Sequence, residues 1–134
     1  MIAVDTSVVV AGFASWHEGH SAAQEAMKQR PRLPAHVALE VYSVLTRLPP
    51  PHRAAAGVVV SFLGDRFRSP PLMLPAAEHM ELLQAAAERG ITGGALYDAL
   101  VAATAKHAGA TLLTRDRRAI RTYEALKAAY ELVV

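Results

Sequence analysis

The chain has 134 residues, 52% of them hydrophobic, and no cysteine; it is long enough to bury a core as one domain, 1–134, and is excluded from disulfide-stapled and thiolate-metal classes. Fourteen Lys and Arg against twelve Asp and Glu leave a net charge of +2, too small to mark a nucleic-acid binder by itself. The opening M-I-A-V-D has no basic leader and no uncharged run is long enough to span a bilayer, so a soluble cytoplasmic protein without a membrane segment is expected.

Ile2 to Val4 reads as a short buried strand that ends at Asp5. Thr6 or Ser7 then caps a helix through Val8, Val9 and Val10, although β-branched residues suit a strand as well. A second helix, over about Glu18 to Gln29, turns Ala22, Ala26 and Met27 inward. Prolines break residues 30–34 and leave room for a one-step strand at Arg32 and Leu33. From Ala35 to Leu48 the period is helical, with Val37, Val41, Val44, Leu45 and Leu48 on one stripe at about 100° per residue. Glu40 lies at the edge of that stripe, where a glutamate either reaches past the core to water or serves a site.

Pro49 to Pro51 stop this helix, and another is expected over about Arg53 to Arg66. Leu72, Met73 and Leu74, set between prolines, read as a buried strand. Ala76 to Arg89 is a helix with Met80, Leu83 and Ala87 on its packed side, ended by Gly90. The helix from about Gly94 to His107 is apolar on almost every side, which marks a buried element. Asp98 is thus an anion near the start of a buried helix, where free N–H groups and the helix dipole make it tolerable. Gly109 suits a left-handed helix end. Thr111 to Thr114 is a strand, and Asp116 lies two residues past it. A helix over Arg118 to Ala128 and a strand over Tyr130 to Val134 finish the chain, with no repeat, low-complexity tract or linker.

Strands separated by helices, with no tight hairpin, predict an α/β fold: a parallel sheet with α-helices on both faces. Such sheets carry their sites beyond the carboxyl ends of the strands. Asp5 and Asp116 fall there, and Asp98 joins them from the helix leading into the last central strand. Asp5, Glu40, Asp98 and Asp116 all adjoin apolar sequence. Clustered carboxylates repel one another, and a divalent cation resolves the repulsion. Oxygen ligands favour Mg²⁺ or Mn²⁺ over zinc, and the one close histidine pair, His17 and His20, lacks a partner ligand. A metal ion in such a pocket activates water and offsets charge on a phosphate under attack, so the expected substrate is a phosphodiester or another phosphate compound. Arg115, Arg117, Arg118 and Arg121 crowd around Asp116, either as phosphate contacts or as a solvated helix face.

The segments M-I-A-V-D-T-S, A-L-E-V-Y-S-V-L and D-A-L-V-A-A-T-A-K-H-A-G-A-T-L-L-T-R-D resemble the PIN-domain family, and within it the VapC ribonuclease toxins of bacterial toxin–antitoxin pairs. The resemblance covers essentially the whole chain and is most specific from Asp98 to Asp116. It implies a PIN-like fold and a metal-dependent endoribonuclease. In that reading Asp5 and Asp98 form the core of a Mg²⁺ or Mn²⁺ site, with Glu40 and Asp116 as further or water-mediated ligands. Ser7 and Thr114 support the quartet; for such an enzyme the phosphates open to Arg115, Arg117, Arg118 and Arg121 are those of RNA, with a solvated helix face as the other reading of that cluster. A homodimer and a cognate antitoxin that occupies the active site are implied as well. Ala119 stands where many members carry an aromatic residue, a departure that bears on packing more than chemistry. Phe13 and Trp16 suit either an interface or a packing role. Two rival functions fit less well. A phosphohydrolase working through an aspartyl-phosphate needs a second Asp two residues after the first, where this chain has Ser7. A receiver-like regulatory module needs paired acids in its first loop and a phosphorylatable Asp on a central strand, and neither is apparent.

Overall fold

Three short strands form the centre of the molecule: β1 (Ile2–Val4), β2 (Thr111–Thr114) and β3 (Tyr130–Leu132), in a computed structural model that describes residues 1–134. They are parallel in the order β1-β2-β3, with Val4 opposite Leu113 and Leu113 opposite Glu131. Two single bridges widen the sheet beyond β1, from Ala3 to Arg32 and from Pro34 to Leu72. The one-step strand expected at Arg32 is therefore present. The strand expected over Leu72–Leu74 is not: only Leu72 pairs, and Met73 is 70% exposed. Pro70, Pro71 and Pro75 lack the N–H that a longer ladder would need.

Seven α-helices surround this sheet: α1 (Thr6–Phe13), α2 (His20–Met27), α3 (Ala35–Thr46), α4 (Ala56–Arg66), α5 (His79–Glu88), α6 (Ala95–His107) and α7 (Ile120–Ala125). Helix α1 is capped by Asp5 and not by Thr6 or Ser7, since the Asp5 carboxylate accepts the Ser7 and Val8 N–H groups at 3.0 and 3.4 Å. Its valines form a helix because Val8 and Val9 are fully buried. Burial of each is worth about 1.5–3 kcal/mol, against a helix-propensity cost below about 0.7 kcal/mol. Helix α2 crosses α1 at Gly12, where a Cβ would lie 2.5 Å from Met27 Sδ. Ala23, with Ala26 and Met27, takes the buried positions, while Ala22 is only partly covered.

Helix α3 buries Val37, Val41 and Leu45, and α6 buries Ala99, Val101, Ala102, Thr104 and Ala105. Both α1 and α6 pack on β2. Gly109 ends α6 with φ +70, the left-handed geometry its position predicts. Helix α5 faces the other way from the expectation: Met80 and Leu83 are 72% and 46% exposed, and Ala86 is the buried residue. This helix carries a second apolar stripe through Leu82, Ala85 and Ala86. That stripe packs against α6, so Met80 and Leu83 on the other stripe are turned outward. No helix is long and apolar enough to cross a membrane.

Candidate active site

The carboxyl edge of the sheet gathers the four predicted acids. Asp5 directly follows β1, and Asp116 lies two residues beyond β2. The first turn of α6 brings Asp98, and the middle of α3 brings Glu40. All four line one cavity of about 460 Å³, together with Thr6, Ser7 and Tyr123.

Asp5 is 4% exposed and is held from several directions. Besides the two backbone donors of α1, Ser7 Oγ donates to Oδ1 at 2.5 Å. Thr114 Oγ1 and Tyr123 OH donate to Oδ2, the latter at 2.8 Å. Ser7 Oγ also accepts the Arg115 N–H at 2.7 Å, and Thr114 Oγ1 accepts the Asp116 N–H at 3.0 Å. Ser7 and Thr114 therefore tie the loop after β1 to the loop after β2. Burial raises the Asp5 carboxyl above its ordinary range, opposed by donors on Ser7, Thr114, Tyr123 and Val8. Tyr123 is the site residue that sequence reasoning missed. It is 1% exposed and lies one turn after the buried Ala119, so its ring reads as core. The available signal is its hydroxyl, since a buried tyrosine usually finds a polar partner.

Asp98 accepts no hydrogen bond from the chain and is half-buried. Burial first, then the charges of Asp116, Glu40 and Asp5, push its carboxyl up to about 6. The acids thus feel one another across the cavity. Glu40 Oε2 accepts a hydrogen bond from Thr6 Oγ1 at 3.1 Å, so it turns toward the cleft and not away from the core into water. Its Oε1 lies 2.8 Å from His36 Nε2, one turn back on α3. That contact is close but is not aligned as a hydrogen bond. The His36 ring in turn stacks on Tyr97, with centroids 5.2 Å apart and planes within 9°. Asp116 Oδ1 accepts the Arg118 N–H at 3.0 Å.

No three of the acids and histidines are gathered into a ready-made coordination shell. The donor set is nevertheless the kind a hard divalent cation takes: carboxylate oxygens without thiolate, held near enough for like charge to raise the Asp98 pKa. By donor chemistry these residues suit a hard divalent cation.

The four arginines separate. Arg115 Nη1 donates to the Val133 carbonyl at 3.0 Å, and its guanidinium fills the space over Gly19, where a Cβ would collide with Cζ. Arg118 extends into water with its side chain 95% exposed, its Nε 3.7 Å from Asp116. Arg117 and Arg121 are exposed, Arg117 at the rim of a neighbouring cavity. Phe13 meets Phe62 edge to face at 5.1 Å and so packs α1 against α4. Trp16 remains 48% exposed and lies over His52, centroids 4.1 Å apart.

Comparison with known proteins agrees with this architecture. The family model for the PIN domain matches residues 2–125. Ribonuclease VapC40 of Mycobacterium tuberculosis (strain ATCC 25618 / H37Rv) is 58% identical over 133 residues, covering 99% of each chain. Ribonuclease VapC27 of the same strain is 43% identical over 124 residues, covering 92% of this chain and 90% of its own. Among solved structures, FitAcB from Neisseria gonorrhoeae superposes with a TM-score of 0.69 at 23% identity, covering 97% of this chain and 96% of its own, a likeness of fold.

Proposed function

The chain belongs to the PIN-domain family, and on that premise we propose that it is a VapC-type endoribonuclease, the toxin of a toxin–antitoxin pair. The observation that carries this reading is the cleft itself. Four carboxylates from four separate segments line it, and their mutual repulsion helps to hold Asp98 near a pKa of about 6. The names of the two ribonuclease relatives support the same reading.

Asp98, with no hydrogen bond from the chain, and Asp5 are the residues we assign to the core of the cation site, with Glu40 and Asp116 completing it. Mg²⁺ or Mn²⁺ held there supplies a Lewis acid and offsets negative charge on the phosphate. Asp5 is fixed in advance by Ser7, Thr114 and Tyr123, so it presents a set geometry without further ordering cost. Glu40, held by Thr6, is placed to orient water and to take its proton as the phosphodiester is attacked. Arg117 and Arg121 are the charges left free to meet RNA phosphates, while Arg118 lies 3.7 Å from Asp116 and Arg115 is committed to Val133. A second copy of the chain and an antitoxin complete the assembly. Apolar side chains exposed on α3 and α5, among them Leu39, Tyr42, Met80 and Leu83, are the surfaces such partners would cover.

The test is incubation of the purified protein, freed of antitoxin, with total RNA and Mg²⁺ or Mn²⁺, with and without EDTA. Chelator-sensitive internal cleavage is expected, and Asp98→Asn is expected to abolish it while keeping the fold. If no RNA is cut under any of these conditions, the nuclease assignment is wrong.

A further inference from the structure

A second charged cavity lies away from the acidic cleft, where the chain enters the sheet. It measures about 450 Å³ and is lined by Arg30, Arg32, Arg66 and Arg68, with Asp65 as its one acid. The two segments that form it run side by side. Arg32 is bridged to Ala3 of β1, and the stretch after α4 leads into Leu72, which pairs with Pro34. None of these four arginines is in an ion pair with a carboxylate, whereas Arg118 and Arg89 both are. Arg32 is fixed by a hydrogen bond from Nη2 to the Pro70 carbonyl at 2.7 Å, and its Nε is buried with no partner. Arg66 is steadied over the Phe62 ring, 5.6 Å from its centroid, and reaches Gln24 Oε1 at 3.4 Å.

A buried donor left unpaired costs free energy, on the order of 1–3 kcal/mol. Four guanidinium groups around one concavity add mutual repulsion to that cost. An anion in the cavity offsets that repulsion, and guanidinium forks match the oxygens of a phosphate in particular. We infer that this cavity binds phosphate groups, and that in the working enzyme it holds the RNA backbone at a distance from the cut. The second step rests on the ribonuclease reading and on charge balance. Four carboxylates at the reactive cleft repel a polyanion, and of its two arginines Arg115 is committed to Val133 and Arg118 is paired with Asp116. Affinity for RNA must then come largely from positive groups elsewhere, and the largest set without carboxylate partners is this one. The acidic cleft handles the scissile phosphate, and the arginine cavity anchors a neighbouring part of the same strand or fold.

The experiment uses the whole protein in EDTA, so that binding is read without turnover and separately from cleavage. Fluorescence anisotropy with a labelled single-stranded RNA is measured across a salt series for wild type and for Arg66→Ala/Arg68→Ala. In parallel, inorganic phosphate is titrated into both proteins and followed by backbone amide NMR shifts. The Mn²⁺-induced melting shift, which reports the acidic cleft, serves as the fold control and is expected to match wild type. The inference requires phosphate to shift amides around Arg32 and Ser69 in the wild type and much less in the variant. If RNA is the source of that phosphate, the variant binds RNA about tenfold more weakly at moderate salt, with a salt slope shallower by about 0.7 for each phosphate it no longer holds. A response to phosphate with unchanged RNA affinity and slope overturns the RNA step and leaves a site for free phosphate or a nucleotide. No phosphate response in the wild type overturns the site altogether.

Discussion

At the scale of single residues, the site is defined by how unequally its carboxylates are held. Asp5 takes five hydrogen bonds, from Ser7, Val8, Thr114 and Tyr123, while Asp98 takes none from the chain. One is a fixed reference point and the other is free to move onto a ligand. Tyr123→Phe removes a buried donor from Asp5 Oδ2 and leaves that oxygen with Thr114 alone. We expect a loss of about 1–2 kcal/mol in urea unfolding and a further rise in the Asp5 pKa, readable by carboxyl NMR. An unchanged Asp5 titration would mean that the hydroxyl carries no weight there. Glu40→Gln keeps the side-chain shape and the Thr6 hydrogen bond but deletes one anion from a repulsive set. The metal-free variant is expected to melt no lower than wild type, to gain less from Mn²⁺, and to lose most cleavage. Full activity with an unchanged Mn²⁺ shift would remove Glu40 from the site.

Among the elements, those whose one buried face is set by large residues are legible in the sequence, and those with two apolar faces are not. Val37, Val41 and Leu45 leave α3 one way to sit, and Asp5 and Asp116 follow their strands because an anion ends a buried run. Helix α5 carries apolar residues on two sides, and periodicity cannot rank Met80 and Leu83 against Ala86 when packing against α6 decides. Leu72–Leu74 has the hydrophobicity of a strand, but the flanking prolines withhold the donors a strand needs. Tyr123 is hidden for a different reason: its partner lies 118 positions away. Arg115 shows the same limit, since its tie to Val133 and its seat over Gly19 are tertiary facts. Gly19→Ala should therefore swing the guanidinium, the far end of a flexible side chain, out into solvent, free the Val133 carbonyl and cost roughly 0.5–1.5 kcal/mol through the lost hydrogen bond. Faster amide exchange along β3, measured by NMR, is the accompanying sign, and native exchange rates there would contradict it.

For the whole molecule, the acidic cleft couples stability to pH and, with the proposed cation bound, to metal. The folded Asp98 carboxyl sits at about 6, above its ordinary 3.8. The native state then holds this proton more tightly than the unfolded chain, so Asp98 favours folding at pH below 3.8. That contribution is lost as pH rises from 3.8 through about 6. A divalent cation acts in the opposite sense, because it binds the charged form. The Mn²⁺-induced rise in melting temperature is therefore expected to be full near pH 7.5 and to shrink steadily toward pH 5. A shift independent of pH across that range would show that the ion binds away from Asp98. The tie between Asp5 and Tyr123 also has a consequence in time. A ribosome adding about 5–20 residues per second makes the fifth residue many seconds before the partners that fix it, roughly 6–24 s for a separation of 118. Until Thr114 and Tyr123 emerge, the first carboxylate has no sheet neighbour to hold it and no second loop to face. On the ribonuclease reading, the cleft of a nascent chain is therefore incomplete beside the RNA-rich machine that makes it until Tyr123 is in place.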